Sequence, residues 1–209
     1  MRARAAGVRI EAGAPATAEV IAALQPEVAV LATGSTMRLP ALSAGSAEAV
    51  DARALVATLD ANKAKRAGTA VLFDQDHGAG VYALADWLAA TYERLVLITP
   101  RTQLGRAVAY VNLIGVYRRL YKAHAEVIAA SLPTCFEGGV LSYVNAFNGE
   151  ETSVAGVTLF TYATPRVAND VLAAPLRARG IDVRLIGDAF APRAILAAVH
   201  EGNRLGCDI

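Results

Sequence analysis

The sequence has few of the features that mark the most easily recognised protein classes. Its two cysteines, Cys135 and Cys207, lie far apart without a CxxC pattern, which indicates neither a zinc site nor a disulfide framework. No apolar run approaches the roughly 20 residues of a membrane span, and no signal peptide is recognisable. With 20 basic and 19 acidic side chains and no basic run, the chain lacks the charge pattern of nucleic-acid binding. We therefore expect a cytoplasmic protein whose partners are small molecules or proteins, not nucleic acid or a membrane.

What the sequence does have is a hydrophobic content of 55%, arranged in alternating strand and helix patterns. Within residues 66–165, strand and helix patterns follow one another as β-α-β-α-β, which predicts right-handed crossovers and a parallel sheet. Alternating apolar and polar residues then flank Asn148–Gly149, a sequence typical of a hairpin turn. The fold class is therefore α/β: a Rossmann-like parallel-sheet domain with a small antiparallel meander.

Two further segments flank this domain. The first carries a helix that Thr17 can cap and the buried strand "EVAVLATG"; the second carries a strand, a glycine turn and a final helix. The polar stretch "DANKAKRAG", residues 60–68, is the best candidate for a linker. We therefore predict one domain at 66–165, inserted between the pieces 1–65 and 166–209 of a second.

Three segments resemble two-dinucleotide-binding flavoproteins. "PEVAVLATGSTMRLP" resembles their strand ending in ATG, and "RLIGDAFAPRAILAAVHEGNRLG" resembles their closing segment with its GD motif. "AVLFDQDHGAGVYALADWLAATYERLVLITP" is similar to the inserted domain of the trimethylamine dehydrogenase and 2,4-dienoyl-CoA reductase family. The similarity extends over nearly the whole chain and corresponds to the C-terminal FAD- and NAD(P)-binding region of that family.

The resemblance implies that pieces 1–65 and 166–209 form a partial FAD- or ADP-binding domain around an inserted NAD(P)-binding-like domain. Full-length relatives carry a GxGPAG strand–turn–helix ahead of this region, an N-terminal barrel and an iron–sulfur cluster. The sequence contains none of these. We therefore expect an incomplete FAD-type domain that forms a homo-oligomer, or a complex with a catalytic subunit containing flavin.

The resemblance also places candidate cofactor-binding residues at the carboxyl ends of two strands. Thr33, Gly34 and Ser35 follow one strand; Gly187, Asp188 and Arg193 follow the other. Doubly wound sheets bind ligands at such strand ends, and the first N–H groups of a helix can donate to a phosphate. The alternative for Asp188 is a helix N-cap, and for Arg193 a solvated side chain. We expect FAD or ADP here, bound weakly or with the help of a partner.

The turn Asp74–Gly80 stands where a dinucleotide fold places its pyrophosphate. It contains Gly78 and Gly80, but also Asp74 and Asp76, and Arg101 follows the next strand. Carboxylates beside the phosphates would repel them by roughly 4 kcal/mol per contact, which exceeds the helix dipole's about 0.3–1 kcal/mol. We therefore expect poor NAD(P) binding at this turn unless the acids point away or bind a cation. The glycines then have a structural role in the turn and in close helix–sheet packing; Gly78, Gly80 and Arg101 are the weaker candidates.

No catalytic residue emerges, because no Ser/His/Asp set or carboxylate pair is recognisable, and no metal ligands are spaced as a site. Three functions remain open. The first is a nucleotide-binding, electron-transfer-associated module or subunit of a flavin-dependent amine or enoyl oxidoreductase. The second is a structural or assembly subunit whose nucleotide sites have decayed. The third is an NAD(P)H-dependent flavin reductase.

Overall fold

The computed structural model describes residues 2–43, 49–59 and 64–209. The helices are α1 Arg2–Ala5, α2 Ala18–Ala23, α3 Ala52–Ala57, α4 Ala79–Thr91, α5 Tyr110–Lys122, α6 Ala173–Arg177 and α7 Ile195–Asp208, with a 3-10 turn at Gly187–Ala189. The strands are β1 Val28–Leu31, β2 Ser35–Met37, β3 Val50–Asp51, β4 Arg66–Asp74, β5 Tyr92–Ile98, β6 Glu126–Ile128, β7 Ser131–Glu137, β8 Val140–Asn145, β9 Glu151–Val154, β10 Val157–Ala163, β11 Arg166–Ala168 and β12 Asp182–Leu185.

The chain folds into two compact units. The outer unit contains the described residues up to Thr36 together with Arg166–Ile209, and the central unit contains the described residues from Met37 to Pro165. β3 and α3 thus pack with the central unit, because β3 pairs with β10. The predicted linker lies partly outside the described residues, which omit 60–63. The domain boundary at 65/66 remains a prediction.

The central unit is built on a five-stranded parallel sheet in the order β3-β10-β4-β5-β6. The chain leaves β4 toward β5 and β6 on one side, and later returns to β10 on the other side of β4. This change of direction makes the carboxyl ends of β4 and β10 a topological switch point, where open α/β sheets form a crevice.

The middle of this sheet is buried on both faces. On β4, Ala70 and Leu72 face the helices α3, α4 and α5, while Val71 and Phe73 face the antiparallel sheet β7-β8-β9. Phe160 on β10 meets this antiparallel layer in an edge-to-face contact with Phe136, at 5.4 Å between ring centroids. The result is three layers: helices, parallel sheet, antiparallel meander. The continuous apolar runs of β4 and β5 reflect burial from both sides.

The outer unit has a smaller core. β1 and β12 pair in parallel, and one face of this pair packs with α2 and α6 through a cluster that includes Leu31, Leu176 and Val183. Thr17 caps α2, with its hydroxyl accepting the N–H of Val20 at 3.3 Å, as predicted. β2 and β11 form a separate two-stranded sheet.

The predicted fold class is confirmed: a Rossmann-like parallel sheet with an antiparallel meander, inserted between two pieces of another α/β unit. The predicted turn at Asn148–Gly149 joins β8 to β9. The sequence patterns did not reveal β7 as a strand. Across the described ranges, no helix combines the length and apolar character needed to cross a membrane.

The two-sided burial of β4 predicts a large effect for truncation of its core side chains. Leu72 is fully buried, so Leu72→Ala should lower the free energy of unfolding by about 2–5 kcal/mol through lost burial and an unfilled cavity. Urea denaturation followed by circular dichroism measures this. Val111→Ala, at a side chain that is 76% exposed, is the control and should change the stability little. Equal effects of both substitutions would contradict the proposed layer structure.

Candidate functional site

The carboxyl ends of β1 and β12 meet at one edge of the outer unit. The strands pair in parallel with Leu31 opposite Leu185, and Ile186 extends the pairing by donating its N–H to the carbonyl of Leu31 at 3.1 Å. The segment of Thr33, Gly34 and Ser35 therefore lies beside the turn of Gly187 and Asp188. These predicted residues are close because parallel strands end at the same edge of a sheet.

The carboxylate of Asp188 joins three segments of this unit. The hydroxyl of Ser35 donates to its Oδ2 at 2.8 Å, and the guanidinium of Arg166 to the same oxygen at 2.5 Å. The backbone N–H of Arg193 donates to Oδ1 at 3.0 Å. Asp188 lies within the 3-10 turn, and α7 begins only at Ile195. It is therefore a centre of side-chain contacts and not the N-cap of α7.

Gly187 and Arg193 hold a second carboxylate. The N–H of Gly187 donates to Oε2 of Glu201 at 2.7 Å, and the guanidinium of Arg193 pairs with Oε1 of Glu201. The Gly187 N–H is the main cause that lowers the pKa of Glu201, with Arg193 adding to it. Arg193 also lies over the ring of Phe190, with 5.6 Å from its guanidinium carbon to the ring centroid. The expected phosphate donors therefore contact a carboxylate of the protein.

The Thr33–Gly34 turn is fixed by hydrogen bonds to the segment after β11. The hydroxyl of Thr33 donates to the carbonyl of Asn169, and the Asn169 amide donates to the carbonyl of Thr33 at 3.3 Å. The N–H of Asn169 donates to the carbonyl of Gly34 at 2.9 Å. Gly34 has a φ of 77°, a conformation that glycine adopts without strain. These hydrogen bonds therefore connect the end of β1 to the segment after β11.

The turn after β4 in the central unit is organised by Asp74. This side chain is fully buried and accepts the N–H of His77 at 2.8 Å and the hydroxyl of Tyr82 at 2.6 Å. The N–H of Gly105 donates in turn to the Tyr82 hydroxyl at 2.5 Å, and Ala107 donates to the carbonyl of His77 at 3.2 Å. The network therefore connects the turn after β4 to the loop after β5.

Burial governs the ionisation of this network. Desolvation raises the pKa of Asp74 more than the hydrogen bonds from Tyr82 and His77 lower it. Burial, and secondarily the charge of Asp74, raise the pKa of Tyr82. The ring nitrogens of His77 are buried and lack a hydrogen-bond partner among the described residues, although Nδ1 lies 3.4 Å from Oδ2 of Asp74. His77 also has a φ of 58°, so this turn contains both strain and a buried polar ring.

Two expectations for this turn need correction. The carboxylate of Asp74 was expected beside a phosphate, but it points inward to Tyr82 and His77. Gly80 was expected to permit close helix–sheet packing, but a Cβ built at Gly80 would meet nothing within 4 Å. At Gly78, the N-cap of α4, a Cβ would lie 2.7 Å from the carboxylate of Asp76. Only Asp76 therefore remains as a repulsive charge at the helix start, and the poor binding of NAD(P) stays a prediction.

Arg101, the third of the weaker candidates, is exposed on the loop after β5. Its backbone N–H donates to the hydroxyl of Thr99 at 3.3 Å and its carbonyl accepts the N–H of Ala130 at 2.8 Å. Its position agrees with a phosphate-facing or a solvated side chain. Over residues 2–43, 49–59 and 64–209, no group of three or more His, Cys, Asp or Glu side chains is arranged to hold a metal ion.

Comparison with known proteins identifies relatives of this arrangement. No protein-family model matches the chain. An NADH oxidase of Thermoanaerobacter brockii is 26% identical over 220 residues, which cover 98% of this chain and 31% of the oxidase. Histamine dehydrogenase of Rhizobium sp. 4-9 has a TM-score of 0.77 at 22% identity, covering 92% of this chain and 30% of the dehydrogenase. A 2-naphthoyl-CoA reductase has a TM-score of 0.82 at 18% identity, covering 100% of this chain and 31% of the reductase.

The dehydrogenase and the naphthoyl-CoA reductase are members of the trimethylamine dehydrogenase and 2,4-dienoyl-CoA reductase family. The resemblance to that family is confirmed. The chain is similar to a part of flavin-dependent oxidoreductases and spans about a third of the length of the relatives named here. Thioredoxin reductase of T. acidophilum shares the α/β architecture more distantly, with a TM-score of 0.60 at 15% identity.

Four residues of these sites were not identified from the sequence: Arg166, Asn169, Glu201 and Tyr82. Arg166 and Asn169 lie in the short segment "TPRVAND", which directly follows the end of β10. Glu201 and Tyr82 lie inside helices, and only the fold shows that they face a turn. The position of Arg166 after a strand was the one available signal, since strand ends carry binding residues in α/β proteins.

The buried network predicts a measurable role for the Tyr82 hydroxyl. Tyr82→Phe removes the acceptor of the Gly105 N–H and the donor to Oδ2 of Asp74, while Oδ1 keeps the N–H of His77. The free energy of unfolding at neutral pH should therefore fall by about 1–3 kcal/mol. Tyr121→Phe, at a ring that is 78% exposed, is the matched control. Urea titrations of the three proteins at several pH values supply the comparison.

The pH dependence follows from the pKa of Asp74. This pKa is raised in the folded protein, so the folded state binds a proton on Asp74 more tightly than the unfolded state does. The stability that this protonation contributes is lost as the pH rises through the raised pKa. The hydrogen bond from the Tyr82 hydroxyl stabilises the ionised form of the Asp74 carboxyl group. The deficit of Tyr82→Phe should therefore shrink as the pH falls through the raised pKa; a deficit that is constant with pH would show that Tyr82 does not act through Asp74.

Proposed function

We propose that the chain is a nucleotide-binding, electron-transfer-associated module of a flavin-dependent oxidoreductase, and that it binds FAD or ADP at the ends of β1 and β12. The observation that carries the proposal is the convergence on Asp188. Ser35 and Arg193, candidates from opposite ends of the sequence, both donate to its carboxylate. Thr33, Gly34 and Gly187 complete the same strand edge. Convergence of separated candidates at the carboxyl edge of parallel strands supports a ligand site.

The residues at this edge fit an anionic cofactor. Arg166 and Arg193 supply positive charge. Gly34 and Gly187 have positive φ values, which favour glycine, and the absence of a side chain at these positions leaves space at both turns. Asp188 already accepts three hydrogen bonds from the protein. We therefore assign it the role of positioning Ser35 and the two arginines around the cofactor. A bound flavin would supply the redox chemistry, and this chain would supply the shape and charge that hold the nucleotide part.

We assign the substrate chemistry, on an amine or an enoyl compound, to another chain or protein segment. No catalytic residue emerged from the sequence, and the described acidic and basic side chains near the strand ends are engaged in hydrogen bonds that shape the site. The similarity to relatives of which this chain spans about a third supports a modular role.

We also propose that the outer unit binds a partner, either a second copy or a flavin-containing catalytic subunit. Among the described residues, β1 pairs only with β12, and Val30 on β1 is 39% exposed. α7 has no buried side chain, and Ile195, Leu196 and Val199 are exposed on it. An open strand edge and exposed apolar side chains each favour association.

Two alternatives have specific support. A structural or assembly subunit is favoured by the engagement of Gly187 and Arg193 with Glu201, which leaves these donors satisfied without a cofactor. An NAD(P)H-dependent flavin reductase is favoured by the inward orientation of Asp74, which removes one of the two charges expected to repel a pyrophosphate. A colourless protein that binds no nucleotide supports the first alternative; tight NADH binding without a metal supports the second.

The cofactor site is tested by titration with FAD and ADP. Asp188→Ala removes the contacts that hold Ser35, Arg166 and Arg193, so the dissociation constant for both ligands should rise about tenfold or more. Asp86→Ala, which removes an ion pair with Arg119 in the central unit, is the control and should leave binding unchanged. Isothermal titration calorimetry measures both. Identical affinities of the wild type and Asp188→Ala would exclude this site.

Association is tested by sedimentation. Analytical ultracentrifugation of the purified chain should show a dimer or larger species, or a complex with the catalytic subunit when the protein is isolated from its native host. Leu196→Glu on the exposed face of α7 should weaken the assembly, because it places a charge in an apolar contact. Val111→Glu, at an exposed side chain of α5 in the central unit, is the control. A stable monomer at high dilution, together with isolation of the chain alone, would contradict the proposal.

A further inference from the structure

Glu201 occupies a position at which the outer unit presents donors for an anion. Its carboxylate accepts the N–H of Gly187 at 2.7 Å and pairs with the guanidinium of Arg193. The same contacts lower the pKa of Glu201 and keep it ionised at neutral pH. A backbone N–H beside a guanidinium is also the combination that binds phosphate oxygens. The side chain therefore satisfies donors that a phosphate would otherwise satisfy.

A cavity lies next to this carboxylate. Its volume is about 320 Å³, within the range of small-molecule sites. Glu201 lines it together with Phe190, a second acidic residue, Asp208, and three arginines: Arg177, Arg184 and Arg204. Arg184 pairs with Asp182, whereas Arg177 and Arg204 form no ion pair within the described residues. The cavity thus combines three arginines with two acidic residues, and it places Arg177, Arg204 and the exposed side chain of Phe190 beside Glu201.

The backbone at Gly187 is shaped for this contact. Its φ of 61° is strained for any side chain, and a Cβ there would lie 3.3 Å from the Cβ of Ala198 on α7. The N–H of Gly187 points toward α7 and donates to Glu201, the seventh residue of that helix. Glu201 can leave the Gly187 N–H by rotation of its own side chain, without movement of the backbone of α7.

We propose that Glu201 is an internal substitute for a phosphate group: it fills the anion position at Gly187 and Arg193 until a nucleotide phosphate, entering through the arginine-lined cavity, displaces it. The inference rests on the proposed nucleotide-binding function and adds the device that regulates it. The ligand class is a phosphate ester or pyrophosphate linked to a ring that can pack on Phe190. Affinity is low while Glu201 is present, because the ligand must compete with a carboxylate that is already bound.

The test compares binding of ADP and inorganic pyrophosphate by the wild type, Glu201→Gln and Glu19→Gln. Glu201→Gln removes the competing charge and keeps an oxygen acceptor for the Gly187 N–H, so the dissociation constants should fall about tenfold. Glu19→Gln is the matched control, since Glu19 is a glutamate of the same unit paired with another arginine, Arg179; its affinities should equal those of the wild type. Arg204→Ala should weaken binding of both ligands.

A second measurement follows the amide of Gly187 by ¹⁵N–¹H NMR. Glu201→Gln should shift this resonance, because the amide loses a charged acceptor. Added pyrophosphate should shift it back toward the position of a charge-assisted hydrogen bond. Unchanged ADP and pyrophosphate affinities in Glu201→Gln, while the wild type binds ADP, would overturn the displacement mechanism and leave the proposed function in place. Absence of binding by all three proteins would overturn both.

Discussion

The carboxylate of Asp188 connects parts of the outer unit that are far apart in the sequence. Ser35 follows β1, Arg166 begins β11, and Arg193 precedes α7, and each donates to this one side chain. The carboxylate and the Arg166 guanidinium are both about one-fifth exposed. In such a setting, loss of one partner leaves a charge poorly compensated, so the group acts as a unit. The geometry of both strand ends, and hence of any ligand site there, depends on this contact.

The central unit contains a fully buried acid, Asp74, with a different structural role. Asp74 accepts hydrogen bonds from His77 and Tyr82, and Tyr82 passes the network on to Gly105. The two loops that would face each other across a dinucleotide are thereby fixed to one another. An acidic turn of this kind does not by itself indicate loss of phosphate binding, because the direction of the carboxylate decides its effect. Here one carboxylate is structural, and Asp76 alone remains near the start of α4.

The turns of this chain combine a shared arrangement of strands with internal pairing of their polar groups. The arrangement of strands and turns is shared with histamine dehydrogenase and a 2-naphthoyl-CoA reductase. The polar groups at the turns form hydrogen bonds within the chain: the carboxylate of Asp74 accepts the hydroxyl of Tyr82, and the N–H of Gly187 donates to Glu201. Polar groups that are satisfied from within do not require a cofactor for stability, because buried donors are not left unpaired. This internal pairing agrees with the proposal that a nucleotide binds only when it displaces a partner from within the chain.

The sequence by itself determined the fold class, the positions of most strands and helices, and the two strand ends at which candidates cluster. It could do so because these features depend on local periodicity, capping and turn residues. The run "AVLF" within β4 is apolar throughout since the strand is buried on both faces, and Thr17 caps α2 locally. β7 was not predicted, because Pro133 and the register shift beside it interrupt the alternation of residues that marks a strand. Tertiary structure alone decided where the charged side chains point. The inward turn of Asp74 toward Tyr82, and the reach of Glu201 to Gly187 across 14 residues, depend on the packing of a helix against a strand end, which no local pattern encodes.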